Sequence, residues 1–332
     1  MTDNTPAFER SATGFAGLWR GVPWSSLAIV GPFVLLFAVL SIASPSFLTP
    51  LNLTNLLDRQ SGILIIAAAS TLVLIAGGID LSVGATYMLA SVVCAHFVLT
   101  SGTWVGVIAA LAAGLIIGLL NGVISTYLRV SPLIATLAMS FIISGATMLV
   151  QQGRLLNLTS ADYDDFKAIA QTRFIGLPAS VWIAVIVIVV LAVVLARTTG
   201  GRYIYAAGGN AEAARLAGIR VNLTQIATFA VTGVAAAIAG ILDTARTSGV
   251  PTTSAVATTI TFTVLAGIVV GGTSIFGGEG AVWRTVIGVL FIALIYNGFN
   301  LLRIDPLFQQ IALGTILLVA VGVDAWSRAR KR

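Results

Sequence analysis

The sequence predicts an all-α fold, a polytopic bundle of about ten transmembrane helices with both termini in the cytoplasm. Three observations carry that expectation. Of 332 residues, 58% are hydrophobic and only 9% charged, against about 25% charged in soluble domains. Apolar runs of roughly 18 residues or more, long enough to cross ~30 Å of hydrocarbon, recur from Ser25 to the C-terminus. With the N-terminus placed inside, twelve of the 18 lysines and arginines fall in cytoplasmic pieces and six in outer ones, the bias that orients membrane proteins.

The elements follow in order. Residues 1–24 carry Asp3, Glu9, Arg10 and Arg20 without a compact apolar core and small-residue cleavage site, so they are expected to form a cytoplasmic tail. The membrane domain is expected over 25–325, with crossings near 25–44, 62–79, 84–100, 103–127, 132–151, 179–196, 224–244, 256–272, 281–298 and 307–325. The largest outer loop, about 152–178, contains Asp162, Asp164 and Asp165 and has room for a short helix on the outer surface. The largest inner loop, about 197–223, contains four arginines, and a basic tail over 326–332 closes the chain.

Composition also excludes. The net charge of +6 does not indicate nucleic acid, because the basic residues lie between apolar runs and form no patch or arm. A single cysteine, Cys94, rules out an intramolecular disulfide or a cysteine metal cluster. One histidine, His96, leaves no His pair for catalysis or metal binding. Both are read as packing residues.

Several segments could carry function. Gly114, Gly118 and Gly122 lie four apart in the fourth crossing, a spacing that lets another helix backbone approach closely. Packing within the chain is the expected use, and a subunit interface the alternative. Asp80 lies in a glycine-rich break, Gly77-Gly78-Ile79-Asp80-Leu81-Ser82-Val83-Gly84. A charge at the bilayer centre costs about 2.5–3.5 kcal/mol on insertion scales. Two readings stand on the residues alone: a helix-to-helix turn with Asp80 as N-cap, or a path or gate built from Gly77, Gly78, Asp80, Ser82 and Gly84. Asn121 and Asn297 are the further path candidates, uncharged partners for hydroxyl groups, with interhelical hydrogen bonding as the commoner use. Asp243, Arg246 and Asp305 lie near the outer boundary, placed to pair locally or to meet a docking protein.

A second break over 270–280 contains five glycines and no lysine. The only lysines, Lys167 and Lys331, precede Ala and Arg, so the chain has no Gly-Lys-Ser/Thr phosphate loop. Any ATP chemistry must come from a partner. In the inner loop, Gly208-Gly209-Asn210-Ala211-Glu212-Ala213-Ala214-Arg215-Leu216-Ala217-Gly218 predicts one short helix over 210–217. Asn210 is its N-cap, Glu212 suits the positive end of the dipole, and Gly218 provides the stop. Glu212 and Arg215 are spaced to pair at i, i+3. On these residues alone, a helix seated in a partner's groove and a loop packed on the bundle stand equally.

From about Phe47 to Asp324 the sequence closely resembles the ribose/xylose/arabinose-type permeases of bacterial ABC sugar importers. The resemblance rests on Phe47-Leu48-Thr49-Pro50-Leu51-Asn52-Leu53, the breaks at 77–84 and 271–280, the stretch 208–219, and Asn297-Gly298-Phe299-Asn300-Leu301-Leu302, five motifs in the same order and spacing. It implies a bacterial inner-membrane subunit that encloses a translocation path with a second copy or a sister permease. It implies a cytoplasmic ATPase, which binds ATP and Mg and grips the helix at 210–217, and a periplasmic sugar-binding protein that delivers solute. No cofactor is implied for this chain itself. Two departures stand out: the run 259–264 is uncharged where the family often has acidic residues, and Arg284 stands where glycine is usual.

The rival readings are weaker. An ion-coupled secondary transporter usually carries ionisable residues within its helices, and the crossings here are nearly free of them. A permease for branched-chain amino acids would need charged or dipolar partners for a zwitterion. A membrane enzyme lacks a His, Cys or carboxylate constellation.

Overall fold

The computed structural model describes residues 29–128, 130–151, 156–250, 254–305 and 307–329. The expected N-terminal tail, the start of the first crossing, Arg129, Gln152, Arg154 and the last three residues of the basic tail lie outside them.

The described chain is helical throughout, apart from one small hairpin. The helices are α1 (Val30–Ala43), α2 (Pro50–Ile75), α3 (Val83–Ser101), α4 (Thr103–Tyr127), α5 (Pro132–Gln151), α6 (Asp164–Gln171), α7 (Ala179–Arg197), α8 (Thr199–Gly209), α9 (Ala211–Leu216), α10 (Val221–Thr247), α11 (Ser254–Val270), α12 (Val282–Leu301) and α13 (Leu307–Ala329). Strands β1 (Arg173–Phe174) and β2 (Leu177–Pro178) pair antiparallel between α6 and α7. Seven of these helices, α2, α3, α4, α5, α7, α10 and α12, are long and apolar enough to cross a membrane, and α1, α11 and α13 contribute shorter apolar stretches.

The expected crossings coincide with these ten helices to within a few residues at most ends. The exception is α2, which begins at Pro50 and not near 62. Thr49 accepts from the Asn52 amide at 3.3 Å, and Pro50 takes the first helical position, where its missing N–H costs nothing. Polar residues Asn52, Thr54, Asn55, Asp58, Arg59 and Gln60 fill the first three turns, which hides them from a hydropathy window.

Burial separates centre from rim. The most apolar stretches of α2, α3 and α10 are 72%, 67% and 67% buried, against 22% for α5. The first three form the heart of the bundle, while α5 presents Phe141 and Leu149 outward, as a surface facing lipid does. The helix anticipated in the large outer loop is α6. Its Phe166 and Ala170 are buried, and Gln171 Nε2 donates to the carbonyls of Ala245 and Arg246 at 3.0 and 3.1 Å.

The glycines of the fourth crossing pack α4 onto α10 within the chain. A methyl on Gly114 would lie 2.4 Å from Gly233 O, one on Gly118 2.4 Å from Phe229 O, and one on Gly122 2.8 Å from Ile226 Cα. Real carbon atoms do not approach so closely, so these positions exclude any side chain. Cys94 is buried in the core as anticipated, whereas His96 is exposed and stacks edge-on to Phe97.

Candidate functional site

The C-terminal end of α2 is where three glycine-rich segments, separate in sequence, meet. Ile75 O accepts from Gly278 N at 2.9 Å. A methyl on Gly208 would fall 1.7 Å from that same oxygen and 2.8 Å from Gly278 N. Gly277 and Gly278 have φ of +85° and +76°, and their backbones come within contact of Gly77 and Gly209. At Gly208, Gly277 and Gly278 only a residue without Cβ allows this backbone-on-backbone seam. Two side chains fasten it: Tyr205 Oη donates to Gly280 O at 2.8 Å, and Gln225 Nε2 to Ala76 O at 3.1 Å. Burial pushes the Tyr205 phenol pKa up, with Arg284 partly opposing, so the hydroxyl keeps its proton and its role as donor.

From this seam the chain runs through Asp80 into α3. Asp80 is 6% exposed. Its Oδ1 accepts from both the Ser82 amide, at 2.8 Å, and the Ser82 hydroxyl, at 2.7 Å. Ser82 Oγ in turn accepts from Asn121 Nδ2 of α4 at 2.7 Å. Thr136 of α5 accepts from Leu81 N at 3.0 Å, and Thr261 of α11 accepts from Gly84 N at 3.1 Å. Thr136 of α5 and Thr261 of α11 thus satisfy backbone amides of this non-helical stretch, and Asn121 of α4 braces it through the Ser82 side chain. Asp80 closes this turn from within, while Ser82 occupies the N-cap position of α3. Asn121 Oδ1 is buried without a hydrogen-bond partner among the described residues. Gly84 lies against Ala257, where a methyl would approach the carbonyl oxygen to 1.9 Å.

Asn297 belongs elsewhere. Its amide pairs with that of Asn52, in bonds of 2.8 and 3.2 Å that tie α12 to α2. Among the described residues, three cavities have linings that do not include Asp80, Asn121 or Asn297. The sequence alone does not single out Thr136, Thr261, Tyr205 or Gln225. Thr261 lies in the uncharged run 259–264, and its hydroxyl was the signal available there.

The other side of the seam carries the inner-loop helix. The sequence predicts one helix, and the structure has two, because Asn210 interrupts α8 and restarts the chain as α9. Gly208 and Gly209 therefore end α8 and form the seam, and α9 itself is 211–216. Asn210 Oδ1 caps it by accepting from Glu212 N and Ala213 N at 3.1 and 3.0 Å. At the far end Gly218, at φ +84°, donates to Arg215 O at 2.9 Å, and Ile219 N donates to Ala214 O at 3.0 Å. This is the paired closure of a Schellman motif. Ala214 is buried against Ala207 and Val221, whereas Glu212, Ala213, Arg215 and Leu216 are exposed, Leu216 by 86%. The spacing of Glu212 and Arg215 does not produce an ion pair. The Arg215 guanidinium turns to Asn222 Oδ1 instead, at 3.5 Å.

A bundle of apolar helices, folded around a close-packed glycine seam and presenting a short capped helix on one face, defines a polytopic permease. The chain belongs to the family described as branched-chain amino acid transport system / permease component, whose model matches residues 52–321. It is 40% identical over 326 residues to the ribose import permease protein of Escherichia coli (strain K12), covering 98% of this chain and 99% of that one. It is 36% identical over 311 residues to the L-arabinose transport system permease protein of the same strain, covering 93% of each. The ribose import permease protein of Bacillus subtilis (strain 168) is 35% identical over 299 residues, 89% of this chain and 92% of that one. The protein is a multi-pass permease subunit of an ABC importer in the bacterial inner membrane.

Proposed function

We propose that this permease forms the path for a monosaccharide, driven by ATP hydrolysis on a separate cytoplasmic ATPase that grips α9. The relatives named for ribose and arabinose import match nearly the full chain, which supports a sugar over the amino acids in the family description. A periplasmic sugar-binding protein delivers the solute, and a second copy or sister permease completes the path. The helices cross ten times, with both termini and the glycine seam at the cytoplasmic face.

The observation that carries the proposal is the position of α9. It is short, capped at both ends and exposed on one side, and α8 joins it directly to the seam between 77–78, 208–209 and 277–280. A docked partner that moves α9 pulls on Gly208 and Gly209, and through them on the ends of α2 and the 277–280 turn. The break 77–84, with Asp80, Ser82 and Gly84 buried, and Asn121 then lie where an inner gate would act. Nucleotide shifts the balance of inward and outward states only by its differential affinity for the two.

Glu212→Pro and Gly218→Val test the arrangement. Both are expected to abolish uptake and association with the ATPase while leaving the amount of inserted permease unchanged. Normal uptake and normal ATPase association in both variants would remove α9 as the coupling element.

A further inference from the structure

A different polar site lies far from the seam. Gln225, which fastens the seam, and Asp243 are 18 residues apart on α10, about 27 Å at 1.5 Å per residue and so close to the thickness of the hydrocarbon. There Asp58, Arg59, Tyr87, Asp243 and Arg246, from α2, α3 and α10, line a partly open cavity of about 180 Å³. Tyr87 Oη donates to Asp243 Oδ2 at 2.5 Å, Arg246 pairs with Asp243 Oδ1, and the Ser180 hydroxyl donates to Asp58 Oδ1. Arg59 is exposed and makes no ion pair among the described residues.

Four charged groups from two helices converge on this one cavity near the outer boundary, a clustering that points to a binding role. Their chemistry selects a ligand. Two carboxylates and two guanidiniums cancel, so an ion gains nothing from net charge here. Each carboxylate oxygen has lone pairs to spare, and Arg59 has a full fork of N–H donors. A set rich in both donors and acceptors, without net charge, matches the hydroxyls of a sugar and equally the two charged ends of a zwitterion; the full-length match to ribose and arabinose import relatives decides for the sugar. Ile63, Ile66 and Ile260 add an apolar wall for the C–H face of a ring. The cavity has room for about six waters at ~30 Å³ each. It falls below the ~300–1,000 Å³ of drug-sized sites, a size that suits one sugar ring.

We propose that this cavity is an outward-side binding site where the permease itself holds a single neutral monosaccharide. The proposal rests on the monosaccharide-import reading and places the solute contacts away from Asp80, Asn121 and Asn297. It is tested with Ile63→Cys in the full chain with its partner subunits, in right-side-out vesicles treated with a membrane-impermeant methanethiosulfonate. The parent chain supplies the blank, because its one thiol, Cys94, is buried. The introduced thiol is expected to react, with D-ribose or L-arabinose protecting it saturably, about threefold at twice the half-protecting concentration. L-leucine is expected to give no protection. Arg59→Gln is expected to remove the sugar protection, read as the ratio of each variant's own labelling rates with and without sugar, because loss of a cation one turn away also lowers the reactivity of the introduced thiol. A thiol that never reacts, or reacts equally with and without sugars in vesicles that take those sugars up, overturns the cavity assignment and leaves the import reading standing. Uptake of leucine but of no monosaccharide overturns the import reading itself.

Discussion

Two adjacent glycines give the sharpest test of the seam. An alanine at 208 places its methyl 1.7 Å from Ile75 O and 2.8 Å from Gly278 N, between the two ends of the bond that joins α2 to the 277–280 turn. Neither neighbour is the tip of a flexible side chain, so the backbones must part. Overpacking of this kind costs about 1–3 kcal/mol, and leaving a buried backbone group unpaired costs about 1–3 kcal/mol more. An alanine at 209 meets nothing within 4 Å, and Gly209 does not have a positive φ. Gly208→Ala is therefore expected to lose uptake by about tenfold or more, since ~1.4 kcal/mol is one decade. Gly209→Ala is expected to stay near the parent. The assay is initial-rate uptake of radiolabelled sugar by the reconstituted importer, normalised to inserted permease and run beside its thermal unfolding. Equal behaviour of the two variants, whether both intact or both damaged, would refute a seam built on backbone contact.

Other substitutions test the remaining elements. Gly233→Ala, whose methyl would lie 2.1 Å from Gly114 O, is expected to separate α4 from α10 and lower the detergent-solubilised melting temperature by several degrees; an unchanged melting curve would contradict the packing. Asn52→Ala and Asn297→Ala are expected to couple in a double-mutant cycle, by about 0.6 kcal/mol and at most ~1.7 kcal/mol, the range for interhelical bonds in membranes. Strict additivity would show that the amide pair is incidental. Asp80→Asn keeps an Oδ1 for Ser82 and is expected to fold, whereas Asp80→Ala leaves the Ser82 amide unpaired and is expected to reduce the folded yield. Equal yields would remove Asp80 from the turn.

The bundle was legible because its information is local. The limits of α4 and α5 follow from apolar runs ended by a glycine, a proline and a charged residue, and the structure reproduces them at Thr103–Tyr127 and Pro132–Gln151. The caps of α9 were legible for the same reason, since Asn210 and Gly218 act within one turn. Where the reading fell short, the cause lies in tertiary contacts. The start of α2 was missed because its polar turns are paid for by Asn297, Ser180 and the outer cavity, distant in sequence. The three glycine breaks could be seen singly, but nothing in their spacing places Gly208 on Ile75 O. The path candidates Asn121 and Asn297 stand out by polarity within crossings. Polarity alone does not separate Asn121, which braces a turn, from Asp243, which faces a cavity.

The central claim is that this chain transports sugar only as part of an ATP-driven assembly built on α9. The most direct measurement is gentle purification of the tagged chain from its native membrane, with and without prior cross-linking, and mass spectrometry of what accompanies it. An ATPase carrying a Gly-Lys-Ser/Thr phosphate loop is expected, cross-linked to this chain through residues 211–218. A permease recovered alone, even from cross-linked membranes, would contradict the account and favour an ion-coupled transporter.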